Sequence, residues 1–246
     1  MKYFMTFSYD GTCFSGYQKQ PRKRTIQKEI EDVLKQINDN KNVVIYSSGR
    51  TDAGVHALNQ KAHFTLDIKI SPERLLKGMN ALLPDDIYIK NIDLVEDEFH
   101  ARFDAIGKEY VYVINMGEYN TIERNYVYQY CRKLDVVSIE RGLKYLEGTH
   151  NFKSFVKSDE EINDYVRTVS QALVTRDNRD VNKIIITFVG TGFLRYMVRN
   201  MVGLLIEIGE GKRKPEDIID IFTHEDRRFA GKTAPACGLY LINVFY

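Results

Sequence analysis

Apolar and polar positions change period repeatedly along this 246-residue chain, and the changes mark out its elements. Alternation from Tyr3 to Tyr9 predicts a strand, closed by a turn at Asp10-Gly11-Thr12. Thr25 stands as an N-cap before Ile26, Ile30, Val33, Leu34 and Ile37 at helical spacing, and Asn38-Asp39-Asn40 ends that helix. Val43–Tyr46 and Ala62–Ile68 read as two further strands. Ser71 followed by Pro72 opens a second helix, with Leu75, Leu76, Met79 and Leu82 expected inward. Ile87–Leu94 is a fourth strand, giving strand, helix, strand, strand, helix, strand: the split-βαβ or ferredoxin-like order.

The second half varies the same scheme. Ile106–Ile114 is a long strand with Tyr110, Tyr112 and Ile114 on one face. Ser138 is expected to cap a short helix over Ile139–Leu146. Val166–Thr175 and Lys183–Val189 form a hairpin about Asp177-Asn178-Arg179-Asp180. Leu194–Ile208 is a strongly apolar helix, another runs from Pro215 through Phe222, and Leu239–Phe245 closes as a strand. The halves share an element order but no close sequence repeat. The expectation is an α+β fold of two ferredoxin-like halves, residues 1–103 and 104–246, with an extended, mostly antiparallel sheet and a central cleft.

Composition narrows the function classes. At 43% hydrophobic residues the chain can bury a sizeable core. No apolar run approaches the ~20 residues that span a bilayer, since Met201–Ile208 is broken by Gly203 and Glu207. The N-terminus enters a strand pattern directly and lacks a signal-peptide layout. Three scattered cysteines form neither a disulfide framework nor a zinc pair, so a reducing cytoplasm without a structural metal is expected. The net charge of +1 does not announce a nucleic-acid binder, yet Lys19, Arg22, Lys23 and Arg24 crowd into one acid-free stretch.

The stretch Gly49-Arg50-Thr51-Asp52-Ala53-Gly54-Val55-His56-Ala57 carries the candidate chemistry. Glycines let a substrate approach the main chain, and Arg50 and Asp52, two apart, face the same side of an extended segment. A fixed carboxylate beside a guanidinium suits a nucleophile or general base, although Gly and Asp are also ordinary turn residues. Arg195 and Arg199, four apart in the expected apolar helix, need acidic partners, an anionic ligand or a route to solvent.

Gly49–Ala57 resembles the signature of the TruA-type tRNA pseudouridine synthases. Tyr9–Gln18 is similar to that family's opening, with Tyr17 where Trp is usual. Thr25-Ile26-Gln27, Phe99–Phe103, Lys108–Tyr112, Phe193–Asn200 and Thr233–Leu239 resemble its remaining motifs in the right order. The resemblance implies the pseudouridine synthase fold of paired ferredoxin-like halves and a cytoplasmic homodimer that needs no cofactor and no catalytic metal. It implies isomerisation of uridine to pseudouridine at positions 38, 39 and 40 of the tRNA anticodon stem-loop. Carried over by position, Asp52 would be the catalytic nucleophile and Arg199 its ion-pair partner. Tyr110 would pack against the target base as a candidate for proton transfer, and Arg50 would hold the RNA. The basic stretch would add phosphate contacts from Lys19, Arg22, Lys23 and Arg24. The competing readings are the same reaction on another structured RNA, or a ferredoxin-like module that binds RNA without chemistry.

Overall fold

Strand β1 (Lys2–Tyr9) alternates as its sequence requires, burying Tyr3, Met5, Phe7 and Tyr9 on one face. This strand anchors the first of two units in the computed structural model, which describes residues 1–157 and 163–246. The first unit comprises Met1–Ile106 with Tyr240–Tyr246, the second Gly107–Leu239.

In the first unit β1 lies antiparallel between β4 (Ile87–Leu94) and β3 (His56–Thr65), and the short β2 (Tyr46–Ser47) pairs β3 antiparallel. Helix α1 (Ile26–Ile37) links β1 to β2, and α2 (Pro72–Leu82) links β3 to β4. The resulting order, β4-β1-β3-β2, is a split βαβ sheet. The last strand of the chain, β10 (Leu239–Phe245), runs parallel to β3 through Tyr240 opposite His56 and Leu241 opposite Ala57.

Several boundaries differ from expectation. The strand expected over Val43–Tyr46 shrinks to Tyr46–Ser47, because the Ile45 amide donates to the buried Glu31 carboxylate of α1 (3.3 Å). Leu82 is half exposed: α2 ends there, and extended Leu83 turns inward instead. Ser71 caps α2 by accepting from the Arg74 amide (3.4 Å), whereas the Thr25 hydroxyl makes no such bond to α1.

The second unit repeats the split arrangement. β5 (Gly107–Asn115) and β8 (Val166–Arg176) flank β9 (Lys183–Gly190), antiparallel to it, and α3 (Val136–Leu146) lies between β5 and β8 in the chain. β7 (Gly148–Asn151) extends the sheet beyond β8, and the two-residue β6 (Tyr128–Gln129) pairs β5 in parallel. Tyr112, Ile114, Ile184, Ile186 and Phe188 are fully buried in the sheet, as are Met201, Val202, Leu204 and Leu205 of α4 (Met197–Gly209). Helix α5 (Asp217–His224) completes the unit.

Here too the helix starts move. Asp135 caps α3 in place of Ser138, its carboxylate accepting from the Val137 (3.0 Å) and Ser138 (3.2 Å) amides. α4 begins at Met197 and not Leu194, because Tyr196 takes a left-handed conformation at φ 66°. Arg195 therefore precedes the helix and does not share a helical face with Arg199. The α+β class with mostly antiparallel sheets is as the sequence order indicated. No helix among the described residues is long and apolar enough to cross a membrane.

Candidate active site

Asp52 lies in the first unit on the connection between β2 and β3, half-buried, next to exposed Arg50. What distinguishes this loop from an ordinary turn is the buried, uncharged hydrogen-bond network behind it. Gln60 of β3 is fully buried, and both ends of its side chain are used. Its amide nitrogen donates to the Gly49 carbonyl (3.1 Å) and toward the Tyr9 hydroxyl (3.5 Å). Its amide oxygen accepts from the Ser48 hydroxyl (2.7 Å) and the Lys61 amide (3.1 Å). The Tyr9 hydroxyl also shares a 2.8 Å bond with Thr51, the residue before Asp52. Burial pushes the Tyr9 phenol up to about 12, so it stays protonated and serves as a fixed hydrogen-bonding group at neutral pH.

Glycine makes the second support possible. Gly16 (φ +93°) lies so close to the loop that a Cβ would meet the Thr51 carbonyl at 3.1 Å and the Ala53 amide at 3.2 Å. At Gly11 a Cβ would fall 2.1 Å from the Val55 carbonyl. The Tyr17 amide then donates to the Thr51 carbonyl (3.1 Å). The segment Tyr9–Gln18 and the Asp52 loop thus interlock through main chain. His56, at the start of β3, is buried against Tyr240 (ring centroids 4.8 Å), and its Nδ1 accepts from the Gly11 amide (3.1 Å).

The other expected site residues belong to the second unit. Arg199, in the first turn of α4, donates from Nε to the Ala234 carbonyl (2.8 Å) and lies over the Tyr196 ring (4.9 Å). Arg195 approaches the same ring at 5.5 Å, so Tyr196 gathers two guanidinium groups that no single helical face provides. Tyr110 is buried and meets Phe193 edge-on (5.3 Å). Tyr112 donates its hydroxyl to the Pro235 carbonyl (2.7 Å), and burial raises its pKa well above the usual phenol range. Gly238 packs against that ring, where a Cβ would come to 2.9 Å. The segments 108–112, 193–200 and 233–239, far apart in sequence, therefore converge.

The basic stretch is less uniform than its composition. Arg24 makes a bidentate ion pair with Asp86 (2.6 and 2.8 Å), reaches Glu29 (3.1 Å) and covers the Phe14 ring (4.1 Å). Lys19 pairs with Glu31 (3.1 Å). Arg22 and Lys23 are exposed, and among the described residues no carboxylate lies within ion-pair distance of either. Sequence reasoning gave Gln60 no role. Its only signal is a polar residue within an otherwise strand-like run, and its burial follows from strand pairing.

Comparison with known proteins places these segments in one family. A family model described as tRNA pseudouridine synthase matches residues 5–104 and 143–246. The chain is 46% identical over 242 residues to tRNA pseudouridine synthase A of Geobacillus sp. (strain WCH70), covering 98% of this chain and 96% of that protein. It is 45% identical over 241 residues to the enzyme of the same name from Anoxybacillus flavithermus, with 98% and 97% covered. A third relative of that name, from Limosilactobacillus reuteri (strain DSM 20016), is 42% identical over 248 residues, with 100% and 96% covered.

Proposed function

The chain belongs to the tRNA pseudouridine synthase family, and on that premise we propose that it isomerises uridines 38, 39 and 40 of the tRNA anticodon stem-loop, with Asp52 as nucleophile. The observation that carries this reading is the clamp on the Asp52 loop. Neutral groups fix the main chain on either side of a half-exposed carboxylate. A reacting carboxylate needs a set position and access to the substrate.

The reaction breaks the N1–C1′ bond of uridine, turns the uracil and rejoins it through C5, whose proton is lost while N1 gains one. Neither redox chemistry nor an external energy source is required. The Asp52 carboxylate serves either by attack on C1′ or by proton abstraction that leaves a glycal. Because the target is stacked in a stem, it must be flipped out, at a cost of a few kcal/mol. Exposed Arg50 supplies a phosphate contact, while Tyr110, an aromatic surface for the base, and Arg199 carry over by position as substrate-binding residues. The rest of the stem is read by shape and backbone charge, with Arg22 and Lys23 contributing most from the basic stretch. The working enzyme is a cytoplasmic homodimer.

The test is to map pseudouridine in total RNA from cells with and without this protein, and in unmodified tRNA transcripts treated with it. Pseudouridine at 38–40 that disappears with the protein and returns on its addition is the expected result. A different tRNA position, or another RNA, would reassign the substrate. No pseudouridine anywhere would leave an RNA-binding module.

A further inference from the structure

The second unit holds an arginine that neutral groups fix in place. Arg227 sits in the short 3₁₀ turn Arg227–Phe229. Its Nη1 donates to the Gly231 carbonyl (2.6 Å), and its Nη2 to Asn200 Oδ1 and Thr233 Oγ1 (both 2.9 Å). These acceptors are themselves anchored. Asn200 is fully buried and donates to the Phe155 carbonyl (2.6 Å), while the Thr233 hydroxyl donates to Asn200 Oδ1 (2.6 Å). Among the described residues no carboxylate lies within ion-pair distance of Arg227. The nearby acids are bonded elsewhere: Asp226 to Arg228 (2.5 Å), Glu225 to Asn151 (2.9 Å) and Lys153 (3.5 Å), and Glu207, whose charge reaches Arg227, to Arg213 (2.7 Å) and the Lys232 amide (3.1 Å). A half-buried guanidinium with its position set and no carboxylate bonded to it directly is organised for an anion.

The surroundings say which kind. Arg227 lines an open cavity of about 950 Å³ together with Lys153, Lys157, Arg228, Tyr165 and Tyr196, and with the acids Glu225 and Asp226. That volume exceeds a lone phosphate and accommodates a nucleotide. Lys153, paired with Glu225, and Lys157 are further cations of the lining, while the two tyrosines offer flat surfaces for a sugar or base. Tyr196 is also the residue whose ring lies under Arg199, so the cavity borders a residue already assigned to the RNA.

We propose that Arg227 binds one backbone phosphate of the substrate RNA, whose strand passes through this cavity beside Arg199. The proposal rests on the function given above and adds a positioning contact for the RNA strand. A purely structural arginine, tying the 3₁₀ turn to α4, would cost stability on removal but would be indifferent to which phosphate carries charge.

The test crosses protein and RNA substitutions. Anticodon stem-loop RNAs are made with a single methylphosphonate linkage, which removes one phosphate charge at a time, and are bound to the unmodified enzyme and to R227M. One linkage near the target uridine is expected to weaken binding to the unmodified enzyme about tenfold, the size of one charge-assisted contact. R227M should lose about tenfold on unmodified RNA, with a salt slope shallower by about 0.7–0.9, and lose nothing more at that linkage. Losses that multiply at every linkage would overturn the proposal. Should R227M fail to fold by circular dichroism, R227K keeps a cation without the fork. Its penalty at the same linkage should then shrink, and an unchanged penalty overturns the proposal. An enzyme that couples to one phosphate yet forms no pseudouridine would fail the function reading alone; one that forms pseudouridine without coupling would fail this inference alone.

Discussion

Two loops of the first unit, Gly49–Ala57 and Lys19–Arg24, both look like charged turns in the sequence, and the structure holds them by different means. Around Asp52 the supports are a glutamine, a tyrosine, a threonine, a serine and main-chain groups, none of them charged. In the basic loop two of four cations are tied to carboxylates, Lys19 to Glu31 and Arg24 to Asp86 and Glu29. Both solutions hold a loop. In the first the main chain is held by uncharged groups, and Arg227 with its neutral acceptors follows the same pattern. Counting charges along a stretch therefore says less than asking what fixes each one.

The contrast breaks most visibly at Gln60. Gln60→Leu removes the hub, taking an acceptor from the Ser48 hydroxyl and a donor from the Gly49 carbonyl, at a cost of about 1–3 kcal/mol in stability. Loosening the loop should lower kcat about 10²-fold while the Kd for tRNA stays within about twofold, because phosphate contacts dominate binding. Single-turnover assays on the folded fraction check this. A kcat that falls only as far as the folded fraction would make the network a matter of stability alone.

His63 tests whether neutral clamping extends beyond the loop. Its Nδ1 accepts from the Ala101 amide (3.0 Å), its ring stacks on Tyr46, and burial beside His100 lowers its pKa to about 4. The folded state thus prefers the neutral ring. Its contribution is present above the ordinary value near 6.5 and is lost as pH falls from there toward 4. Melting from pH 7 to pH 5 should show a loss on the order of 1–2 kcal/mol that His63→Gln reduces; an equal loss in that variant would place the effect elsewhere.

The smallest effects should separate the cations of the basic loop. Arg22→Ala and Lys23→Ala are each expected to flatten the log–log salt dependence of tRNA binding by about 0.7–0.9, and Lys19→Ala and Arg24→Ala by less. Filter binding across a salt series reads the slopes. Equal slopes for all four variants would mean that the internal ion pairs open when RNA arrives.

Much of this was visible in the sequence, for reasons that can be named. β1, α1, β4, β5, β9 and β10 have residues whose period matches burial on one face, so their bounds move by a residue or two at most. The Asp52 loop stood out because two glycines bracket a carboxylate. Misplaced features depend on distant partners. Ile45 leaves its ladder because Glu31 is there to accept its amide, and Asp135 displaces Ser138 as cap because its carboxylate reaches two amides at once. The left-handed Tyr196 shortens α4 and separates Arg195 from the helix, which no apolar period announces. Gln60 and Arg227 were hidden for the same reason: each acquires meaning only from segments far away in the chain.

The central claim is that Asp52 acts as the nucleophile, and Asp52→Asn tests it most directly. The amide keeps the size and much of the hydrogen bonding of the carboxylate and removes its charge. Tritium release from C5-labelled uridine in tRNA, measured beside filter binding of the same RNA, should show turnover abolished and Kd within about twofold of the unmodified enzyme. Turnover near that of the unmodified enzyme would contradict the mechanism, and loss of binding together with turnover would reduce Asp52 to a structural residue of its loop.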